Sequence, residues 1–140
     1  MNKLNIYLSG ATKHVDEDFQ NWRSKCFEFI FDGFYTNINF INPIGYFDYT
    51  HHPPKTEKQC LDLFMWMVEK SDLVLINLDD SDKSIGTGME VEHAYCHNIP
   101  IIAFGKNKDT WYNWIETRAS AVFDTLGDAI EYINDYYGNM

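Results

Sequence analysis

Two apolar runs in the middle of the chain set its pattern of hydrophobic and polar positions. Leu73-Val74-Leu75-Ile76 and Ile99-Pro100-Ile101-Ile102-Ala103-Phe104 are short and rich in branched residues. One helix-length segment separates them, and it opens on the polar, glycine-bearing stretch 79–88. A short continuous apolar run bounded by turn signals reads as a strand buried on both faces. Strand, polar loop, helix and strand make a βαβ unit with parallel strands. In such a sheet the loop at a strand's carboxyl end meets the amino end of the next helix, where ligands bind.

The rest of the chain repeats this alternation. Residues 3–9 alternate and then run apolar into Ser9-Gly10, which predicts a first strand and a tight turn. A helix starting at Asp16 or Asp18 carries Phe19, Trp22, Cys26, Phe27, Phe29, Ile30 and Phe34 at helical spacing, a core stripe, and ends near Gly33. Residues 37–41 form a second strand that Asn42-Pro43 stops. Residues 44–56 are a long loop bearing aromatics and prolines, of the length that usually carries function.

The segment from Glu57 to Lys70 is a helix apolar nearly all round, which implies burial against the sheet and against another subunit. Thr110 to Thr117 forms a short helical turn, Ala121 to Asp124 the last strand, and Leu126 to Tyr137 a closing helix with Ala129, Ile130 and Ile133 inward. Five strands alternating with helices predict an α/β fold, a three-layer flavodoxin-like or Rossmann-like domain with a five-stranded parallel sheet. Residues 1–140 read as one domain, without repeat, linker or low-complexity segment.

Composition adds mainly exclusions. A length of 140 residues, 45% of them hydrophobic and 23% charged, suits one domain with a substantial core. The formal net charge of −10 speaks against a nucleic-acid partner, whose phosphates require clustered Lys and Arg. No basic, then apolar amino-terminal segment and no run approaching ~20 apolar residues is present, so the expectation is a cytoplasmic protein with no membrane partner. Cys26, Cys60 and Cys96 are odd in number and read as reduced thiols. His93 and His97 stand four apart with Cys96 beside them, a spacing that can bind zinc from one helical face. No clear additional ligand accompanies them, so the expectation is no metal and no organic cofactor.

The candidate chemistry lies in Ser84-Ile85-Gly86-Thr87-Gly88-Met89-Glu90. Gly86 and Gly88 let the backbone approach a ligand or take positive φ, and Ser84 and Thr87 offer hydroxyls beside the free N–H groups of a helix start. Glu90 falls in the first helical turn. Either Thr87 or Gly86 caps the helix and Glu90 complements its dipole, or the carboxylate faces a ligand cleft. Asp62 interrupts the apolar helix and stands either at a surface edge or in a site.

The segment Gly86-Thr87-Gly88-Met89-Glu90, after a strand opening Ser71-Asp72-Leu73-Val74-Leu75, resembles the signature of the nucleoside 2-deoxyribosyltransferase family. That family includes nucleoside 5′-monophosphate N-glycosidases. Ile6-Tyr7-Leu8-Ser9-Gly10-Ala11 resembles its first strand and loop, and Tyr112-Asn113-Trp114-Ile115 is similar to its Asn-Leu-Met segment. The resemblance implies that Glu90 is a nucleophile attacking C1′ of the sugar and that Tyr7 orients it. It also implies that the sugar lies near Ser9 and Gly10, with Gly86, Gly88 and Met89 beside the substrate. Asn113 would reach into a neighbouring subunit's site, making the chain a homo-oligomer.

Two departures bear on the substrate. The family's acidic residue on the helix before the central strand would fall at Phe64, and Asp62, two residues early, is the available stand-in through a local helix irregularity. Ser84 stands where nucleoside transferases often place an aspartate and the monophosphate N-glycosidases a phosphate-binding serine. Ser84 with Lys13 would suit a 5′-phosphate, although Asp79, Asp80 and Asp82 make the neighbourhood negative.

The expected activity is exchange of the base of a 2′-deoxynucleoside through a glycosyl-Glu90 intermediate, with a deoxynucleoside or deoxynucleotide and a free nucleobase as small-molecule partners. The alternatives are a nucleoside 5′-monophosphate N-glycosidase and a non-catalytic nucleotide-binding protein.

Overall fold

The computed structural model describes residues 3–11, 21–31, 33, 35–45, 56–81, 84–105 and 114–138. The elements are β1 (Leu4–Ser9), α1 (Trp22–Phe31), β2 (Ile38–Ile41), α2 (Glu57–Glu69), β3 (Leu73–Asn77), α3 (Ile85–Cys96), β4 (Ile101–Phe104), β5 (Ala121–Phe123) and α4 (Leu126–Tyr136). Short 3-10 turns follow β2 at Pro43–Gly45 and precede β5 at Glu116–Arg118. The expected helix start at Asp16 or Asp18, most of the aromatic loop, and Lys13 and Asn113 lie outside the described residues.

The five strands form one parallel sheet in the order β2-β1-β3-β4-β5. The predicted flavodoxin-like α/β architecture is therefore observed. From β1 the chain steps outward to β2, then crosses back to place β3 on β1's other side. The strand order therefore reverses between β1 and β3, and the carboxyl edge at such a switch point is where open α/β sheets bind ligands.

Strand alternation sorts the core into two layers. Ile6, Leu8, Leu73, Leu75, Ile102 and Phe104 face Trp22 and Cys26 of α1 and Ala129, Ile130 and Ile133 of α4. Tyr7, Val74, Ile76, Ile101 and Ala103 face Met67 and Val68 of α2 and Val91 and Ala94 of α3. Every residue of β3 is buried, as its unbroken apolar run requires. In α1, Trp22 and Cys26 are buried and Phe27, Phe29 and Ile30 partly so, while Phe31 is exposed.

In α2 only the sheet-facing Met67 and Val68 are buried, and Leu63 and Trp66 stay exposed. Hydroxyl caps start three helices: Thr56 accepts from the Gln59 N–H, Ser84 from Thr87 and Thr125 from Asp128. No helix among the described residues is long and apolar enough to cross a membrane.

Candidate active site

The site grows from two periodicities that meet at the carboxyl edge. Along β1, Tyr7 and Ser9 lie two residues apart and share the sheet face turned toward α3. Along α3, Thr87, Glu90, Val91 and Ala94 form the buried stripe, at the i, i+3, i+4, i+7 spacing of a helix face. Glu90 thus occupies a core-facing position, and a carboxylate there must find donors. The Ser9 hydroxyl donates to Glu90 Oε1 at 3.2 Å, and Glu90 is only 8% exposed. Because Ser84 caps the helix, Glu90 falls in its second turn rather than the expected first.

A cation lies beneath this pair. Arg23 of α1 is 2% exposed, donates from Nη2 to the Gly10 carbonyl at 3.1 Å, and sets its guanidinium 4.6 Å from the Trp22 ring centroid. Among the described residues its buried Nε and Nη1 find no hydrogen-bond partner. Gly10 is needed for this packing, since a Cβ there would sit 3.1 Å from Trp22 Cζ2 and 3.6 Å from Arg23 Nη2.

Burial dominates the electrostatics. It pushes the Glu90 carboxyl up to about 7, against the lowering effects of Tyr7, Ser9 and the Arg23 charge. Burial, with the Glu90 charge adding to it, pushes the Tyr7 phenol upward, so Tyr7 stays neutral and protonated. Burial lowers Arg23 to about 10, which leaves it a cation at neutral pH. The Tyr7 hydroxyl lies close enough to Glu90 for each to shift the other, yet among the described residues it makes no aligned hydrogen bond. The assembled site is one buried carboxylate between a hydroxyl donor, a neutral phenol and a fixed cation.

No protein-family model matches the sequence, and no curated protein matches it. Among solved structures, the chain is similar to a 2-deoxyribosyltransferase from Bacillus psychrosaccharolyticus, with 16% identity and a TM-score of 0.68 over 89% of this chain and 88% of that one. The fold is that of a 2-deoxyribosyltransferase. It is also similar to a CMP N-glycosidase, BcmB, from Clostridium botulinum, with 14% identity and a TM-score of 0.55 over 94% and 96% of the two chains. DNA processing protein A from Helicobacter pylori, which binds single-stranded DNA, shares the architecture at 13% identity and a TM-score of 0.63, over 97% and 83% of the chains. A fold hosting a transferase, a glycosidase and a DNA-binding protein leaves function to the side chains of the site.

On this deoxyribosyltransferase fold, the expected residues divide into three groups. Tyr7, Ser9, Gly10 and Glu90 come together at the carboxyl edge, with Ser9 rather than Tyr7 making the aligned hydrogen bond to Glu90. Ser84 and the glycines lie at the amino end of α3, with roles different from those anticipated. Ser84, not Thr87 or Gly86, is the N-cap, and its Oγ also lies 2.8 Å from Thr87 Oγ1. Gly86 and Gly88 are ordinary helical residues, and among the described residues positive φ occurs at Asp80, Asn98, Gly33 and Gly105 instead. A Cβ at Gly86 or Gly88 would meet no atom within 4 Å, so no protein neighbour demands glycine there. Met89, beside Glu90, is partly exposed.

Asp62 departs from its expected place. Residues 57–69 form a continuous α-helix without irregularity, and Asp62 points to solvent in an ion pair with Lys58 one turn away at 2.5 Å. The surface-edge alternative is the one observed, and Phe64 takes the inward place. Arg23 was not anticipated, although position 23 falls on the same helical face as Cys26 and Ile30. A charged residue on an apolar stripe was the signal available.

Proposed function

We propose that this chain is an N-glycosyl transferase of the nucleoside 2-deoxyribosyltransferase family, acting on small-molecule deoxynucleosides and free nucleobases. The observation that carries this reading is the buried Glu90 carboxylate held by Ser9 beside Tyr7 and Arg23, at the crevice where parallel sheets bind ligands. A carboxylate so enclosed is shielded from water and, once ionised, can act as a nucleophile toward a carbon centre.

Glu90 attacks C1′ as the C1′–N bond breaks, and the bonding pair leaves with the base, which takes up a proton. A glycosyl-Glu90 ester results. A second base then attacks C1′ from the vacated face and releases the carboxylate, so configuration is retained. Ser9 and Arg23 favour the ionised form of Glu90 that attack requires, and the neutral Tyr7 phenol stands ready to hold one carboxylate oxygen. A missing 2′-hydroxyl helps, because an electron-withdrawing oxygen would destabilise the developing cation. We extend the proposal to a homo-oligomer in which Asn113 completes a neighbouring site, with the exposed Leu63 and Trp66 of α2 as candidate contact surface.

Ser84 favours a second reading, a deoxynucleoside 5′-monophosphate N-glycosidase. Its half-buried hydroxyl and the N–H groups of the α3 start form the kind of donor cluster that holds phosphate. Chromatography of the protein with deoxyinosine or thymidine plus free adenine or cytosine, beside deoxynucleoside monophosphates, separates the two. Exchanged deoxynucleoside supports the transferase. Base released only from monophosphates moves the assignment to the glycosidase, and no product from either set removes both. Glu90→Ala is expected to abolish base release while retaining substrate binding, and unchanged turnover would refute the nucleophile.

A further inference from the structure

The carboxyl ends of α2 and α3 bring together three side chains that sequence spacing could only partly join. His93 and His97, one turn apart on α3, face Glu69, the last residue of α2. His93 Nε2 lies 2.7 Å from Glu69 Oε1, His97 Nε2 lies 3.5 Å from the same oxygen, and one ligand atom of each residue lies within 4.8 Å of the others. The two imidazole rings are tilted at 38°, with centroids 4.3 Å apart.

From this geometry we infer a surface binding site for a divalent transition-metal ion of the zinc class, formed by Glu69, His93 and His97. Two imidazoles and a carboxylate are zinc's usual ligands, and at bond lengths of ~2.0–2.2 Å the ligand atoms of a tetrahedral site stand about 3.3 Å apart. The separations of 2.7 and 3.5 Å bracket that value, so small side-chain rotations suffice. A backbone contact also orients one ligand: His97 Nδ1 lies 2.8 Å from the His93 carbonyl, which accepts only from a protonated Nδ1. Nε2 of His97 is then the nitrogen with a free lone pair, the arrangement in which outer partners fix metal-binding histidines.

Cys96, adjacent in sequence, is not part of the group. Its thiol donates toward Glu92 Oε1 at 3.7 Å, and Glu92 in turn holds Arg118. The three ligands are partly exposed, with side-chain accessibilities of 26% for His93, 45% for His97 and 41% for Glu69, so a fourth position stays open to water. Seven residues separate His97 from Glu90, about 10 Å along the helix, which sets this site apart from the nucleophile. A bound ion would clamp the ends of two helices, one of which carries Glu90.

The test uses the full chain without an affinity tag, freed of metal by chelation and titrated with zinc chloride in a calorimeter. Visible absorption with cobalt(II) and thermal unfolding with and without zinc are followed in parallel. One zinc per chain is expected, with a rise in Tm, because an ion that binds only the folded form stabilises it. His93→Ala and His97→Ala should each weaken binding by at least ~10- to 100-fold, the range that loss even of outer partners produces. Glu69→Gln should weaken binding as well and alter the cobalt spectrum. Circular dichroism of the metal-free variants shows that they fold, and the conservative Glu69→Gln serves if either alanine variant does not. Zinc binding unchanged in these variants would mean that other residues hold the ion, and that result, like the absence of saturable binding, overturns the site.

Discussion

Replacing Glu90 with glutamine isolates the cost of enclosing the carboxylate. In the folded protein burial lifts Glu90 from 4.5 to about 7, which corresponds to about 3 kcal/mol at high pH. The sign follows from proton counting. Between pH 4.5 and about 7 the folded state holds a proton that the unfolded state has lost, so this residue's contribution makes stability fall as pH rises through that window. Glu90→Gln removes the titration while keeping shape and an oxygen that can accept from Ser9. Relative to wild type it should gain about 2–3 kcal/mol more at about pH 8 than at about pH 5. Urea unfolding of both proteins at the two pH values measures this directly, and base exchange should be lost at both. A stability difference that stays the same at the two pH values would refute the buried, raised carboxylate, and with it the account of how the site holds its nucleophile.

Other perturbations follow from the same geometry. The acidic limb of kcat/KM should lie near 7, rate rising with pH as Glu90 ionises, and a limb near 4.5 would contradict its burial. Arg23→Met should move that limb upward by removing the cation that favours the ionised form, which pH–rate profiles will show. Ser9→Ala should move it the same way and weaken turnover, by about 1.5–3 kcal/mol for a hydrogen bond to a charged acceptor. Tyr7→Phe removes a buried hydroxyl without an aligned partner, so it should stabilise the fold by about 1 kcal/mol while lowering kcat; a loss of stability would show that the hydroxyl is bonded. Gly10→Ala should destabilise by about 1–3 kcal/mol through contact with Trp22, measured by thermal unfolding.

The parallel sheet was legible because its evidence is local. The run Leu73–Ile76 is apolar at both parities, and only a strand covered on both faces requires that. Helix-length segments between such runs then dictate crossover connections and parallel pairing. Tyr7, Ser9 and Glu90 could be picked out for a related reason: each lies on an element whose position in a βαβ unit is set, and the resemblance placed them together. The cap was not legible at single-residue precision, since Ser84, Gly86 and Thr87 are all acceptable there and the choice depends on how β3 hands over to α3.

Asp62 misled because a two-residue offset on a helix is a rotation of about 200°, which turns a side chain from cleft to solvent. Arg23 and Glu69 needed the folded chain. Arg23 acts electrostatically on Glu90 from 67 positions earlier, and Glu69 meets two histidines 24 and 28 positions on, where α2 and α3 finish side by side. Periodicity along the chain determines which face of an element is apolar and where that element stops. Which polar groups share a buried volume depends on how separate elements pack, and that packing alone produced the enclosed carboxylate, its cation and the three-ligand cluster.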